Sequence, residues 1–362
     1  MTTLSLRRCD GYVLPELKNS IRQSLDDIGG LQNFVKKGQK VMLKPNLFSI
    51  AAAGTNAATH PVFIQAVIEL LHEIGAEVVI GEMICGDTGN KKALIRHLGS
   101  VIKGKDVKLS DFQSGNFTAL KVKDHLLVEE VHYANNFLNA DVRINLPKFK
   151  THMHTAITGA VKNCFGCMRH EQRIDLHKRF QKEDFSKTVL DVYKNSAFDL
   201  TIMDAIDCLE GDDGPAHGPI SKLGYVATGE DAVAIDSVIS TVAGMDPMNI
   251  PTCRIAGENG LGVSDISKID KRGDTIRKAR FKSNMTYDYF KSLYTLGNAK
   301  DLTWRRINGR CIDCRACKNN CPVGAIYYNN TKRLVIDRNI CVRCDCCIEV
   351  CPVAAVDVMK DE

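Results

Sequence analysis

Long apolar runs are missing from this chain. The most hydrophobic window, Val62 to Ile80, is interrupted by Glu69, His72, Glu73 and Glu77, too much charge for a membrane span. The opening residues, Met-Thr-Thr-Leu-Ser-Leu-Arg-Arg-Cys-Asp, contain no apolar segment of the kind that forms a secretory leader. Aromatics are scarce at 6%, with a single tryptophan, Trp304, and the net charge of +5 over 362 residues is small. The basic residues are scattered rather than interleaved with aromatics in one tract, which argues against nucleic-acid binding. No Gly-x-Gly-x-x-Gly follows a strand-like run, so a nicotinamide cofactor has no support; a flavin is not indicated either, although flavin sites often lack a short motif.

Cysteine, by contrast, is plentiful at fifteen residues. Cys311, Cys314, Cys317 and Cys321-Pro322 recur thirty residues later as Cys341, Cys344, Cys347 and Cys351-Pro352. Three thiolates two residues apart wrap one face of an iron–sulfur cubane. The fourth lies too far along to close the same cluster and is expected on the other one. Two [4Fe-4S] clusters follow, cluster I on Cys311, Cys314, Cys317 and Cys351 and cluster II on Cys341, Cys344, Cys347 and Cys321. Proline after the fourth cysteine, with fixed φ and no N–H, suits a chain leaving a turn. Zinc modules also use Cys-x-x-Cys pairs, but this double order without a histidine favours iron and sulfide. On these residues, 305 to 359 resemble a bacterial-type ferredoxin with two [4Fe-4S] clusters. Thiolate-held clusters imply a reducing compartment, and a cytoplasmic protein is expected.

Residues 305 to 362 carry ten Lys/Arg against seven Asp/Glu. With each four-thiolate cluster counted as roughly −2, the module is nearly neutral, which suits docking on its own chain better than a mobile carrier. Seven cysteines remain: Cys9, Cys85, Cys164, Cys167, Cys208, Cys253 and Cys346. Cys164 and Cys167 form a Cys-x-x-Cys pair that could be a redox dithiol or part of a metal site, although His170 and His177 nearby have no compelling ligand spacing. Cys346 reads as a small packing residue.

Ahead of this module the text alternates between strand and helix. Residues 39 to 43 read as a buried strand stopped by Pro45. His60-Pro61 opens a helix with apolar positions at Phe63, Val67, Leu70, Leu71 and Ile74, Gly75 ends it, and Ala76 to Ile80 is the next strand. This βαβ pattern predicts a mostly parallel or mixed sheet flanked by helices. Gly86 to Asn90 reads as a polar βα turn, 106 to 133 as short antiparallel strands with a hairpin near Lys123-Asp124, and 140 to 146 as a strand. After Pro147 come Lys148, Lys150, His152 and His154, then a predicted helix carrying Thr155, Thr158, Lys162 and Asn163. Cations and hydroxyls between a strand's end and a helix start suit an anionic ligand at an open α/β sheet. Further on, 173 to 194 reads as one amphipathic helix, 200 to 206 as a strand ending near Asp204 and Asp207, and Asp231 as the cap of a helix to Ala243 that places Asp236 on its second turn. The Gly-rich acidic loop from Glu210 could bind a cation or amine. Residues 263 to 303 are weakly patterned.

Several of these segments in combination, Lys44-Pro-Asn, Pro147-Lys-Phe-Lys-Thr-His, Thr158-Gly-Ala-Val-Lys-Asn, Phe165-Gly-Cys, Asp204-Ala-Ile-Asp, Glu210-Gly-Asp-Asp-Gly-Pro, Ala232-Val-Ala-Ile-Asp and Gly260-Leu-Gly, resemble the DUF362 family over residues 35 to 262. Cys164 departs from the apolar residue usual there. The resemblance implies no settled function, and many members carry a two-cluster ferredoxin module. The expected division is 1–262 as a DUF362-like α/β domain, 263–303 as a linker or lid with Trp304 at an interface, and 304–362 as a small α+β ferredoxin-like module.

Clusters supply one-electron chemistry but no substrate recognition, so the first expectation is an iron–sulfur oxidoreductase passing electrons to a small anionic substrate or cofactor in the α/β domain. Lys44, Asn46, Lys148, Lys150, Lys162 and Asn163 are the expected binding residues, and His152 and Asp236 the proton carriers. The alternatives are an electron-transfer protein whose large domain docks a partner enzyme, and a metal or cluster maturation factor using Cys164, Cys167 and the acidic loop. A redox partner protein is expected.

Overall fold

The computed structural model describes residues 1–49, 52–84, 90–212, 217–297 and 303–360, without the side chains of 90, 91 and 360. Cys85, most of the Gly86 to Asn90 turn and residues 213–216 of the acidic loop lie outside the described residues. The strands are β1 (Thr2–Arg8), β2 (Lys40–Pro45), β3 (Glu77–Glu82), β4 (Val107–Asp111), β5 (Phe117–Lys121), β6 (Glu130–Ala134), β7 (Val142–Leu146), β8 (Lys148–His152), β9 (Ala156–Thr158), β10 (Leu200–Leu209), β11 (Ile220–Gly229), β12 (Ile269–Gly273), β13 (Thr303–Ile307), β14 (Ile326–Tyr328), β15 (Leu334–Ile336) and β16 (Val356–Lys360).

Among the described residues ten strands form one sheet in the order β12-β1-β11-β10-β7-β2-β3-β4, with β8 beside β10 and β9 beside β8. The run β4-β3-β2-β7-β10 is parallel, and β11 reverses direction between β10 and β1. The period-two pattern explains the three layers. Val41, Leu43, Val78 and Ile80 face a core shared with helices Leu14–Asp27 and Pro61–Ile74, while Met42 and Val79 face the core formed with helices Lys182–Ser196 and Ala232–Val242. Helix Pro61–Ile74 starts where His60 Nδ1 accepts from Val62 N at 3.2 Å and stops at Gly75, φ 80°, the left-handed position glycine tolerates.

Several sequence expectations are corrected by packing. Strand β4 is a parallel edge strand rather than half of a hairpin, because Val107 and Leu109 pack on the helix-covered core; β5 and β6 do pair antiparallel. The helix expected over 173 to 194 is two, His170–Arg179 and Lys182–Ser196, broken where extended Phe180 packs against the core. Thr155 to Thr158 turn into β9, antiparallel to β8, leaving only the short helix Ala160–Asn163. Residues 263 to 303 are more than a linker: buried Ile269 starts β12, which pairs with β1, and helix Met285–Leu296 is anchored by Asn284, whose Nδ2 donates to His152 O and Ala156 O. No helix among the described residues is long and apolar enough to cross a membrane.

The cysteine module pairs β13 with β16 and β14 with β15 around its own small core. Trp304 sits on β13 opposite Met359, with the Arg338 guanidinium 3.2 Å from its ring centroid, both contacts within the module. The two cysteine runs share a backbone. Asp313 and Arg343, Arg315 and Asp345, Gly324 and Ala354 are thirty residues apart, and every one has positive φ.

Candidate functional site

Strand β2 has β3 on one side and β7 on the other. The chain goes from β2 to β3 and β4 in one direction, then returns to lay β7 on the opposite flank. Such a reversal opens a crevice beyond the carboxyl ends of the strands. Lys44, Asn46, Glu82 and Pro147 lie at these ends.

Buried Lys44 donates to Glu82 Oε2 at 2.6 Å and to Pro45 O at 2.7 Å. Glu82 also accepts from Leu47 N and Met83 N. Asn163 wedges between strands, its Nδ2 donating to Asn145 Oδ1 at 2.8 Å and Lys44 O at 3.1 Å. The packing is tight enough that a Cβ at Gly166 would stand 2.6 Å from Glu82 Oε1. Lys44 and Asn163 are therefore framework, not free anion-holding groups. Asn46 donates through Nδ2 to Asn163 Oδ1, but its own Oδ1 is buried without a partner among the described residues, an acceptor with unmet capacity.

Lys148 is likewise committed. Its Nζ donates to Asp204 Oδ2 at 2.9 Å and Tyr12 Oη at 2.8 Å, fully buried. Lys150 donates to Ala57 O and lies 4.2 Å from the Phe48 ring centroid, and burial pushes its ammonium well below the ordinary lysine value. Asp236 caps the short helix Ala160–Asn163: its oxygens accept from Ala160 N at 2.6 Å and Val161 N at 3.0 Å, and burial pushes its carboxyl up to about 7. Cys164 and Cys167 are fully buried, with thiols pushed up by burial. Among the described residues no three His, Cys, Asp or Glu side chains gather for a single metal ion, at this pair or elsewhere. Glu210 and Asp212 of the acidic loop accept from Lys282 N and Met285 N, which ties down the segment before helix Met285–Leu296.

His152 joins the two modules. Its Nδ1 accepts from His154 N at 3.0 Å, which leaves Nε2 as the protonated nitrogen, 2.9 Å from Glu349 Oε1. Burial pushes the imidazole well below its ordinary value. Burial alone would raise Glu349, but the His152 bond and the Lys162 charge hold it below the ordinary carboxylate range. Two further contacts dock the same face. Asp345, paired with Arg305 at 2.8 Å through Nη2, lies 3.7 Å from His154 Nε2, and His217 Nε2 is 2.6 Å from Cys351 O.

Within the module one cavity is lined by Cys311, Cys314, Cys317 and Cys351, and a second by Cys321, Cys341, Cys344 and Cys347. The fourth cysteine of each run thus lines the other run's cavity. Backbone N–H groups already point at sulfur, Ala325 N to Cys321 Sγ at 3.2 Å and Ala355 N to Cys351 Sγ at 3.1 Å. Four thiols line the first space, and the second has its four together with Cys346 and with Asp345, whose carboxylate is taken up by Arg305; each set of four is a donor set suited to a cubane.

A pocket lies between the α/β domain and the second cysteine run. Cys346, Glu349 and Val350 contribute one wall; Asn46, Lys162, Arg173 and His170 contribute the other. Lys162 has no hydrogen bond or ion pair among the described residues, and burial lowers its ammonium despite the Glu349 charge. His170 is pushed down to about 4, and His177 down to about 3, both by burial, so both are neutral imidazoles at pH 7. Of the expected binding residues, Lys44, Asn46, Lys162 and Asn163 line this pocket, while Lys148, Lys150, His152 and Asp236 do not. Sequence reading missed Glu82, His170, Arg173, His177, Cys346 and Glu349. Arg173 and His177 were signalled by their i, i+4 spacing, and Cys346 and Glu349 by standing where the first repeat has Ala316 and Asn319.

Comparison with known proteins accords with this division. The family model for a domain of unknown function, DUF362, matches residues 41–241, and that for a 4Fe-4S dicluster domain matches residues 310–355. The thylakoid-associated protein sll1697 of Synechocystis sp. (strain ATCC 27184 / PCC 6803 / Kazusa) is 32% identical over 266 residues, covering 72% of this chain and 80% of that protein. Among solved structures, the lactate racemase apoprotein from Thermoanaerobacterium thermosaccharolyticum aligns with a TM-score of 0.45 at 10% identity, over 67% of this chain and 57% of that one. A Thermotoga maritima protein aligns with a TM-score of 0.36 at 13% identity, over 56% and 53%. The strand-end segments that build the crevice fall within the matched region, and the cysteine runs within the other, so the chain belongs to the DUF362 family and carries a 4Fe-4S ferredoxin domain behind the family's α/β region.

Proposed function

We propose that this protein is an iron–sulfur oxidoreductase that reduces a small anionic ligand held between its two modules. The observation that carries the reading is the pocket whose one wall, Cys346 and Glu349, belongs to the cysteine run and whose other wall carries Lys162. When bound, two [4Fe-4S] clusters supply one-electron transfer. Cys311, Cys314, Cys317 and Cys351 would hold cluster I, and Cys341, Cys344, Cys347 and Cys321 cluster II. Cys347 follows Cys346 and Cys321 follows Asn320, both pocket residues, so cluster II is the one beside the ligand.

The chain's own groups divide the remaining work. Lys162, which has no hydrogen bond or ion pair among the described residues, meets an anionic group. Asn46 Oδ1 accepts a hydrogen bond from a ligand donor. Neutral His170 and His177 add polar contacts without countering the anion's charge. The Lys44–Glu82 and Lys148–Asp204 pairs hold the strand ends rigid, and the His152–Glu349 bond holds the two walls together. A reducing, cytoplasmic setting belongs to this reading because the thiolates must stay unoxidised.

Anaerobic purification followed by iron and sulfide analysis and mass spectrometry of released small molecules tests it. The expected result is about eight irons per chain, as two cubanes require, together with a retained anion or flavin-like molecule lost in Lys162→Ala at unchanged iron content. Full iron content with no retained molecule, and no anion whose affinity Lys162→Ala reduces, would reject the pocket as a ligand site.

A further inference from the structure

The two cysteine runs share spacing and backbone but not surroundings, and the outward one has the character of a protein-docking surface. In the second run, Asp345, Ile348 and Val350 are buried against the rest of the molecule. At the matching positions of the first run, Arg315 and Lys318 are exposed and Asn320 only half-buried. Cys314 is exposed where Cys344 is buried. Cluster II thus has its face turned toward the ligand pocket, and cluster I has its face turned toward solvent.

That outward face is basic. Arg310, Arg315 and Lys318 are exposed, as is Ile312 at 62%, all within one stretch of nine residues. The local acids are already engaged. Asp313 accepts from Tyr328 Oη at 2.6 Å, and Asp357 lies 3.5 Å from both Arg306 and Arg310. Exposed cations in the same short stretch as an exposed apolar side chain favour an acidic partner that also offers a small apolar contact, and such fields raise association rates by about 10- to 1,000-fold at low salt.

We infer that residues 310 to 318 form the docking surface for an acidic one-electron carrier protein, which exchanges electrons with the chain through cluster I. This rests on the cluster assignment given above and is independent of what occupies the pocket. One electron passes from the reduced carrier to the oxidised chain per encounter, with no bond made or broken.

The test uses anaerobically prepared holoprotein and a pre-reduced acidic [2Fe-2S] ferredoxin as the probe. Stopped-flow reduction of the chain is followed at low and high salt, and complex formation with the oxidised carrier is titrated in parallel. The expected result is a second-order rate and an affinity that both fall steeply with salt. Combined Arg310→Glu, Arg315→Glu and Lys318→Glu should lower both at least about tenfold at low salt, and the glutamine versions should do so by less, at unchanged visible spectrum. Lys103→Glu with Lys108→Glu, on the exposed β4 side of the sheet, should change neither. Salt-independent rates, equal loss in the Lys103/Lys108 control, or equal loss in Lys162→Ala would overturn the inference. Because carrier reduction is read without any pocket ligand, its outcome does not depend on whether the pocket reading survives.

Discussion

The first and second cysteine runs are nearly one piece of chain written twice, yet they have different surroundings. Three pairs of matching residues adopt positive φ in both copies, so the backbone scaffold is the same. What differs is the side chains between the ligands. Arg315 is replaced by Asp345, Lys318 by Ile348, Asn319 by Glu349 and Ala316 by Cys346. Each change removes a solvated group or adds one that can be buried with a partner. The lesson is that the cysteines specify a cluster, and the residues between them specify which way it faces.

The sharpest way to break this comparison is at the crossed ligands. Cys321→Ser should deplete the cluster of the second run and Cys351→Ser that of the first, each removing about four of about eight irons. Spectroscopy that resolves the two clusters would show the loss crossing between sequence repeats, and loss within the mutated run would contradict the assignment.

Next in size is the pair of matching αL positions. Asp345→Ala strands the buried Arg305 guanidinium and should destabilise the folded chain by about 3–5 kcal/mol, whereas Arg315→Ala, in solvent, should stay within about 0.5 kcal/mol. Thermal unfolding of matched samples reads the difference. Equal effects would mean that the second run is not packed as described.

Acidification should also separate the runs. His152 is neutral in the folded state, its value pushed down chiefly by burial. A histidine with a depressed folded value contributes stability that is full above its ordinary 6.5 and is lost as pH falls from there toward the folded value. Hydrogen exchange in Cys346–Glu349 should therefore accelerate below about pH 6.5, while Ala316–Asn319, which has no such contact, should not respond over that range. His152→Gln should flatten the response.

The smallest expected effect is at Cys346. Cys346→Ala restores the residue of the first run and should leave iron content unchanged, with stability altered by no more than about 1 kcal/mol. Loss of iron would make it a ligand and undo the eight-cysteine assignment.

Much of the architecture was legible from local pattern. The alternation around Val41, Leu43, Val78 and Ile80 and the His60-Pro61 and Gly75 signals marked a βαβ unit, because strand and helix periodicity and end chemistry are properties of a few consecutive residues. The second half of the sheet was harder. Ile269 carries β12 into the sheet beside β1 from the far end of the domain, and no local pattern reveals a partner more than 260 residues away. The break at Phe180 was hidden for a related reason: its helical neighbours are good helix formers, and only the core contact pulls it out.

The candidate site divides along the same line. By itself the sequence determined that the C-terminal stretch is a 4Fe-4S ferredoxin domain and that cations gather beyond the ends of β2 and β7, since ligand spacing and strand termini are encoded within short stretches. Only the tertiary structure decided which cations are free. Lys44 and Lys148 look like Lys162 in sequence, but burial beside Glu82 and Asp204 commits them to ion pairs, because a charge removed from water must find its opposite. Among the described residues Lys162 has no ion pair or hydrogen bond, only the Glu349 charge nearby, and it borders the pocket where the second cysteine run closes against the sheet.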